Sequence, residues 1–230
     1  MRHDPQAVML FAAGFGTRMG ALTAHQPKPL IPVGGRALID HALELVRNAG
    51  VTRKVANLHY RAEMLAGHLA DSDVALSIET PEILETGGGL RHALPLLGDG
   101  PVFTMNTDAI WKGPNPLLLA QNVWDPERMD ALLICVPQGS ALGHSGQGDF
   151  LLGPQGQLRR GAGHVYGGVQ IIKTDGLAGI SQPAFSLNLL WDRMLEQGRL
   201  FGVSYPGQWC DVGRPEGIAM AERLIGADDV

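Results

Sequence analysis

Short apolar runs alternate with longer amphipathic segments through the first 136 residues, and nothing else in the chain restricts the fold as tightly. Residues 8–12, 54–58, 75–79, 102–106 and 131–136 read as strands. Residues 37–49, 61–70, 88–97 and 116–123 carry apolar side chains at helical spacing, and Gly50 and Gly98 close two of these segments. Strands separated by helices form βαβ units. The expected class is therefore α/β: three layers, Rossmann-like, with a mostly parallel or mixed central sheet and helices on both faces. The second half is less regular. Residues 148–152, 165–172 and 200–205 read as strands, with a polar turn at 154–157. Residues 185–197 and 215–225 read as helices, the latter opened by Pro215. The stretch 137–148, rich in Gly, Ser, Gln and His, reads as a loop that either covers a substrate or is simply solvated.

A chain of 230 residues with 45% hydrophobic content can bury one large α/β core. A net charge of −5 excludes a general nucleic-acid surface. No run is long and apolar enough to span a bilayer, and the start shows no secretory pattern. Cys135 and Cys210 have neither metal-ligand spacing nor a disulfide framework, so they read as reduced thiols of a cytoplasmic protein.

The first strand runs into Ala12-Ala13-Gly14-Phe15-Gly16-Thr17-Arg18-Met19, and Pro27-Lys28-Pro29 follows. Small residues let a ligand approach the backbone, loop N–H groups can form an anion-binding concavity, and Arg18 and Lys28 add two cations. Together they read as a phosphate cradle. The dinucleotide fingerprint and the P-loop both require glycine where this chain has Met19, so neither applies. In doubly wound sheets the ligand sits beyond the carboxyl ends of the strands. Two aspartates fall at such ends, in Asn106-Thr107-Asp108 and in Trp209-Cys210-Asp211-Val212-Gly213. Alone, each reads first as a turn former or helix cap. Beside a phosphate loop they read as ligands for Mg²⁺, which protein commonly holds through one or two carboxylates. Leu84-Glu85-Thr86-Gly87-Gly88-Gly89 reads either as a flexible turn or as a seat for a flat ring such as a nucleobase, with open glycine N–H groups.

The order A-A-G-x-G-T-R, P-K-P-L, E-T-G-G-G, N-x-D and W-x-D-V-G resembles the sugar-1-phosphate nucleotidyltransferases. The likeness covers nearly the whole chain. It is strongest toward short bacterial uridylyltransferases for N-acetylmuramate 1-phosphate, enzymes of cell-wall recycling, and extends to mannose-1-phosphate guanylyltransferases. The resemblance implies a single nucleotidyltransferase domain over 1–230, with a nucleotide-binding half at 1–136 and a sugar-binding half with the closing helix at 137–230. It implies that NTP and sugar 1-phosphate are the partners and Mg²⁺ the cofactor. Ala12, Ala13, Gly14, Gly16 and Thr17 would cradle the nucleotide, with Glu85, Thr86 and Gly87 near its base. Arg18 would hold the departing pyrophosphate, and Lys28 would bridge the α-phosphate and the sugar phosphate. Asp108 and Asp211 would bind the metal; Asp149 and a Gly167-Gly168 turn would face the sugar. The family's usual N-G-D is here Asn106-Thr107-Asp108, which raises the question of backbone strain at Thr107. A non-catalytic nucleotide-sugar sensor on the same fold is the rival from another class.

Overall fold

The computed structural model describes residues 5–226; the two ends of the expected domain, 1–4 and 227–230, lie outside the described residues. Strand β1 (Ala7–Phe11) is followed by a small hairpin, β2 (Pro32–Val33) and β3 (Arg36–Ala37), and by helix α1 (Leu38–Asn48). Next come β4 (Arg53–Leu58), α2 (Ala62–His68), β5 (Val74–Ile78), α3 (Glu85–Leu97), β6 (Val102–Asn106), β7 (Ala109–Lys112) and α4 (Pro116–Val123). The remainder is β8 (Ala131–Val136), β9 (Ala141–Leu142), β10 (Phe150–Leu152), β11 (Leu158–Arg160), β12 (Val165–Ile172), α5 (Asn188–Glu196), β13 (Leu200–Ser204), β14 (Gln208–Asp211) and α6 (Pro215–Gly226).

Seven strands form one sheet in the order β13-β8-β12-β6-β1-β4-β5. All neighbours are parallel except β12, which runs antiparallel to both β6 and β8. The expected mixed, mostly parallel sheet is what the chain forms. Side chains of β1 alternate between two apolar layers. Val8 and Leu10 pack with Ile39, Leu43 and Val46 of α1, Leu65 of α2 and Leu117 of α4. Ala7 and Met9 pack with Leu90 and Ala93 of α3 and Leu190 and Met194 of α5. Residues 39, 43 and 46 share one helix face, and each buried side chain contributes about 1.5–3 kcal/mol by leaving water. Asn115 caps α4 by accepting from Leu117 N–H, with Pro116 in the first turn.

Chain order reverses around β1, which lies between β4 and β6, so a crevice opens at the carboxyl ends of β1 and β6. A third apolar cluster (Met19, Ile31, Val33, Leu38, Ile110, Cys210, Val212, Ala221, Leu224) anchors the segments that wall this crevice.

Several local expectations change. The strand expected at 148–152 begins at Phe150 and folds back as the hairpin β10–β11 around the 154–157 turn. The helix expected from 185 begins at Asn188, because 185–187 is bound to the start of α3: Phe185 O accepts from Gly87 and Gly88 N–H, and Leu187 N–H donates to Thr86 Oγ1. The 137–148 stretch is partly tied down, since β9 pairs with β14. No described helix is long and apolar enough to cross a membrane.

Candidate active site

The crevice is a cavity of about 310 Å³. It is lined by Ala12, Ala13, Gly14, Gly16, Thr17 and Arg18 from the loop after β1. Glu85 and Thr86 from the start of α3 also line it, as do Asp108 and Lys28. Residues 17–23 and 28–30 form 3-10 turns that carry Arg18 and Lys28. Met19, the residue that broke both common phosphate motifs, is buried and fixes the first turn to the third cluster. Gly16 has φ +63, and a Cβ there would sit 2.9 Å from Thr23 Cγ2 and 3.0 Å from Lys28 Cβ. Both the left-handed backbone and the close approach of Lys28 therefore require glycine.

Lys28 is buried, and its Nζ donates to Asp108 Oδ2 at 2.7 Å. Arg18 is exposed and pairs with no carboxylate among the described residues. Asp211 of β14 lies opposite Ala109 of β7, and Val212 N–H donates to Asp108 O, so both aspartates reach the same end of a small sheet. Burial lifts the Asp211 carboxyl above its ordinary value, and the charge of Asp108 lifts it further; Lys28, Arg18 and His144 oppose this. Gly213, which lines the cavity, lies against that carboxylate. Among the described residues no three His, Cys, Asp or Glu side chains are grouped to hold a metal alone. Two hard carboxylates, one made costly by burial and by the other, are a donor set that suits Mg²⁺ completed by phosphate oxygens. Asp108 and Asp211 would hold it.

Thr107 does not have a positive φ. Its hydroxyl donates to Phe11 O at 2.8 Å and ties the ends of β6 and β1 together, so the departure from N-G-D is accommodated without strain. Strain lies instead at Glu85, which adopts φ +59 at the start of α3.

A second cavity of about 270 Å³ adjoins the first and shares Phe11, Thr86 and Asn106 with it. Its walls include Asp149, Tyr166 and Trp191, with Arg160 stacked 4.8 Å over the Phe150 ring. Asp149 Oδ2 accepts from Tyr166 N–H. Arg160 donates to Asp192 and Asn188 through Nε and Nη2.

Three expected roles need correction. The N–H groups of Gly87 and Gly88 are not open; Phe185 O takes both. The Ala12 N–H is likewise taken, by Asn57 Oδ1 at 2.8 Å. Gly167 and Gly168 form no turn; they are buried in β12, where the register shifts between Tyr166 and Gln170. There Gly168 leaves room for Asn106, which a Cβ would approach to 2.9 Å. Sequence reasoning missed Asn57 and Arg160, which no motif singles out. Burial pushes the Cys135 and Cys210 thiols up to about 12 and about 11, so neither can act as a thiolate nucleophile near neutral pH.

Comparison with known proteins places the chain in a family. Residues 8–144 match the MobA-like NTP transferase domain family. The N-acetylmuramate alpha-1-phosphate uridylyltransferase of Caulobacter vibrioides is 40% identical over 98% of this chain and 99% of its own. The Neisseria meningitidis enzyme of the same name is 32% identical over 95% and 98%. A probable mannose-1-phosphate guanylyltransferase of Oryza sativa is more distant, at 27% identity over 94% of this chain and 63% of its own. Among solved structures, HddC from Yersinia pseudotuberculosis complexed with GMP-PN superposes with a TM-score of 0.77, covering 96% of this chain and 99% of that one; at 20% identity this shows a common fold. The chain thus belongs to the MobA-like NTP transferase domain family.

Proposed function

We propose that the protein transfers a nucleotidyl group from UTP to N-acetylmuramate 1-phosphate, giving the UDP-sugar and pyrophosphate. The observation that carries this reading is the pair of abutting cavities. One has a glycine-rich loop and two cations; the other has aromatic walls and polar side chains; Asn106, at the end of β6, lines both. An NTP in the first and a sugar phosphate in the second would bring their phosphates together at Lys28. A sugar-phosphate oxygen attacks the α-phosphorus in line, the bond to the β-phosphate oxygen breaks, and pyrophosphate leaves. No protein base is required, because a phosphate monoester with a second pKa of about 6 is already mostly ionised. The barrier is repulsion between anions. Arg18 meets the departing β- and γ-phosphates, and Lys28 meets both reacting phosphates, so catalysis is positioning and charge neutralisation. Bound Mg²⁺ would supply further positive charge to the phosphates. Residues 1–136 then serve mainly the nucleotide and 137–230 the sugar, in a cytoplasmic enzyme of cell-wall sugar recycling.

The choice of an acidic amino sugar rests on the uridylyltransferase relatives and on Arg160. N-acetylmuramate carries a lactyl carboxylate, and the Nη1 edge of Arg160 offers that group a cation. The test is UTP labelled at the α-phosphorus, incubated with N-acetylmuramate 1-phosphate and Mg²⁺. Label should move into a sugar nucleotide. UTP that binds but keeps its label would overturn the assignment.

A further inference from the structure

Glu79 is 1% exposed, and among the described residues its carboxylate forms no ion pair. A buried carboxylate without a cation is costly unless hydrogen bonds hold it. Its two oxygens serve two different segments. Oε1 accepts from Asn57 Nδ2 at 2.7 Å, and Oε2 accepts from Leu84 N–H at 2.7 Å. Asn57, 3% exposed at the end of β4, accepts the Ala12 N–H with its other face. The amide orientation is forced, since the carboxylate can only accept and the Ala12 N–H can only donate. Helix α3 is shaped around the pair: a Cβ on Gly89 would come within 2.5 Å of Glu79 Oε1 and 2.9 Å of Asn57 Nδ2.

The chain of bonds links two of the segments that line the first cavity. Leu84 immediately precedes Glu85, with its left-handed backbone, and Thr86, both of which line the cavity. Ala12 opens the loop after β1, the second of these lining segments. We propose that Glu79 and Asn57 are positioning residues that lock the 84–86 segment to the 12–14 segment, so that the base and the triphosphate of a nucleotide are recognised as one unit. This rests on the nucleotidyltransferase reading and deepens it.

Two probes separate the two segments: UTP, which has a base, and inorganic tripolyphosphate, which has none. In Glu79→Gln the side-chain amide offers one acceptor to two donors, so the contact to Asn57 or to Leu84 is lost. UTP binding should weaken roughly tenfold or more, the scale of one hydrogen bond to a charged group, while tripolyphosphate binding changes less than about twofold. The kcat/KM preference for UTP over CTP should fall in the same variant. Asn57→Ala, which releases the Ala12 N–H, should weaken both probes. The double variant should cost less than the sum of the two, as coupled groups do. Equal loss of both probes in Glu79→Gln, or a lowered Tm with UTP preference intact, would show a purely structural role and overturn the proposal. Should Glu79→Gln not fold, unchanged tripolyphosphate binding in Asn57→Ala overturns it instead. Failure of the underlying reading looks different: the wild-type chain would then release no pyrophosphate with any NTP and sugar phosphate.

Discussion

The Lys28–Asp108 pair joins residues eighty positions apart, and it concentrates the chemistry of the cleft in one contact. Composition and motif order pointed to each partner separately; neither indicates that they touch, because the contact exists only once β1 and β6 lie side by side. In the proposed reaction Lys28 meets both reacting phosphates, so its charge would matter most as the new bond forms. Lys28→Ala should lower kcat by roughly a hundredfold or more, with only a few-fold change in nucleotide affinity measured at equilibrium. Equal losses in both would remove it from the reacting centre. Arg160 is the complementary case, a residue that no motif marks and that only the packing of β11 beside α5 brings to the second cavity. Arg160→Met should cut kcat/KM for N-acetylmuramate 1-phosphate by about tenfold or more, the scale of one charge-assisted hydrogen bond. The same variant should leave N-acetylglucosamine 1-phosphate, which lacks the carboxylate, within about twofold. A parallel fall for both sugars would deny Arg160 the recognition role.

At the level of elements, helix α3 shows what the sequence conveys and what it withholds. Its apolar spacing from residue 90 onward is readable, and so is its stop at Gly98. Its first turn is not, because three glycines in a row suggest an open, flexible entrance. In the folded chain they are buried against Phe185, Pro183 and Glu79, and their smallness lets the 183–187 segment lie against the helix. That long-range contact also explains why α5 starts three residues later than its periodicity suggests. Gly88 offers a direct test, since a Cβ there would sit 2.4 Å from Pro183 O, a backbone atom. Alanine gains up to about 1 kcal/mol in helix propensity. Overpacking against backbone costs about 1–3 kcal/mol, so the clash prevails. Gly88→Ala should lower Tm by several degrees. Gly67→Ala in α2, where the new methyl meets nothing within 4 Å, should hold or raise it. A Gly88→Ala variant as stable as Gly67→Ala would show that the glycines are not packing residues.

Across the whole molecule, one sheet carries strands from both halves, and Asp130 helps hold the later half in place. Asp130 precedes β8; its carboxylate pairs with Lys173, just after β12, and with Arg199, just before β13, both at 2.9 Å. These are three neighbouring strands. Burial alone would raise the carboxyl, but hydrogen bonds from Arg199 and Lys173 outweigh it and hold the group below its ordinary value. Because the folded value lies below the unfolded one, this stabilisation is present above about pH 4 and lost as pH falls through the folded value. Asp130→Asn should therefore narrow the gap between urea midpoints measured at pH 7 and at pH 3; an unchanged gap would remove Asp130 from the acid sensitivity. The alternating architecture was legible from one sequence because βαβ order follows from local periodicity. The antiparallel course of β12 and the pairing of β9 with β14 were not, since both depend on partners far along the chain. In the proposed reaction the two abutting cavities join a nucleotide to a sugar phosphate. This is tested most directly by pyrophosphate release across a matrix of NTPs and sugar 1-phosphates, with Mg²⁺ and with the metal chelated. Release should be metal-dependent and greatest for UTP with N-acetylmuramate 1-phosphate. Silence in every combination, with nucleotide still bound, would contradict it and leave a sensor on the same fold.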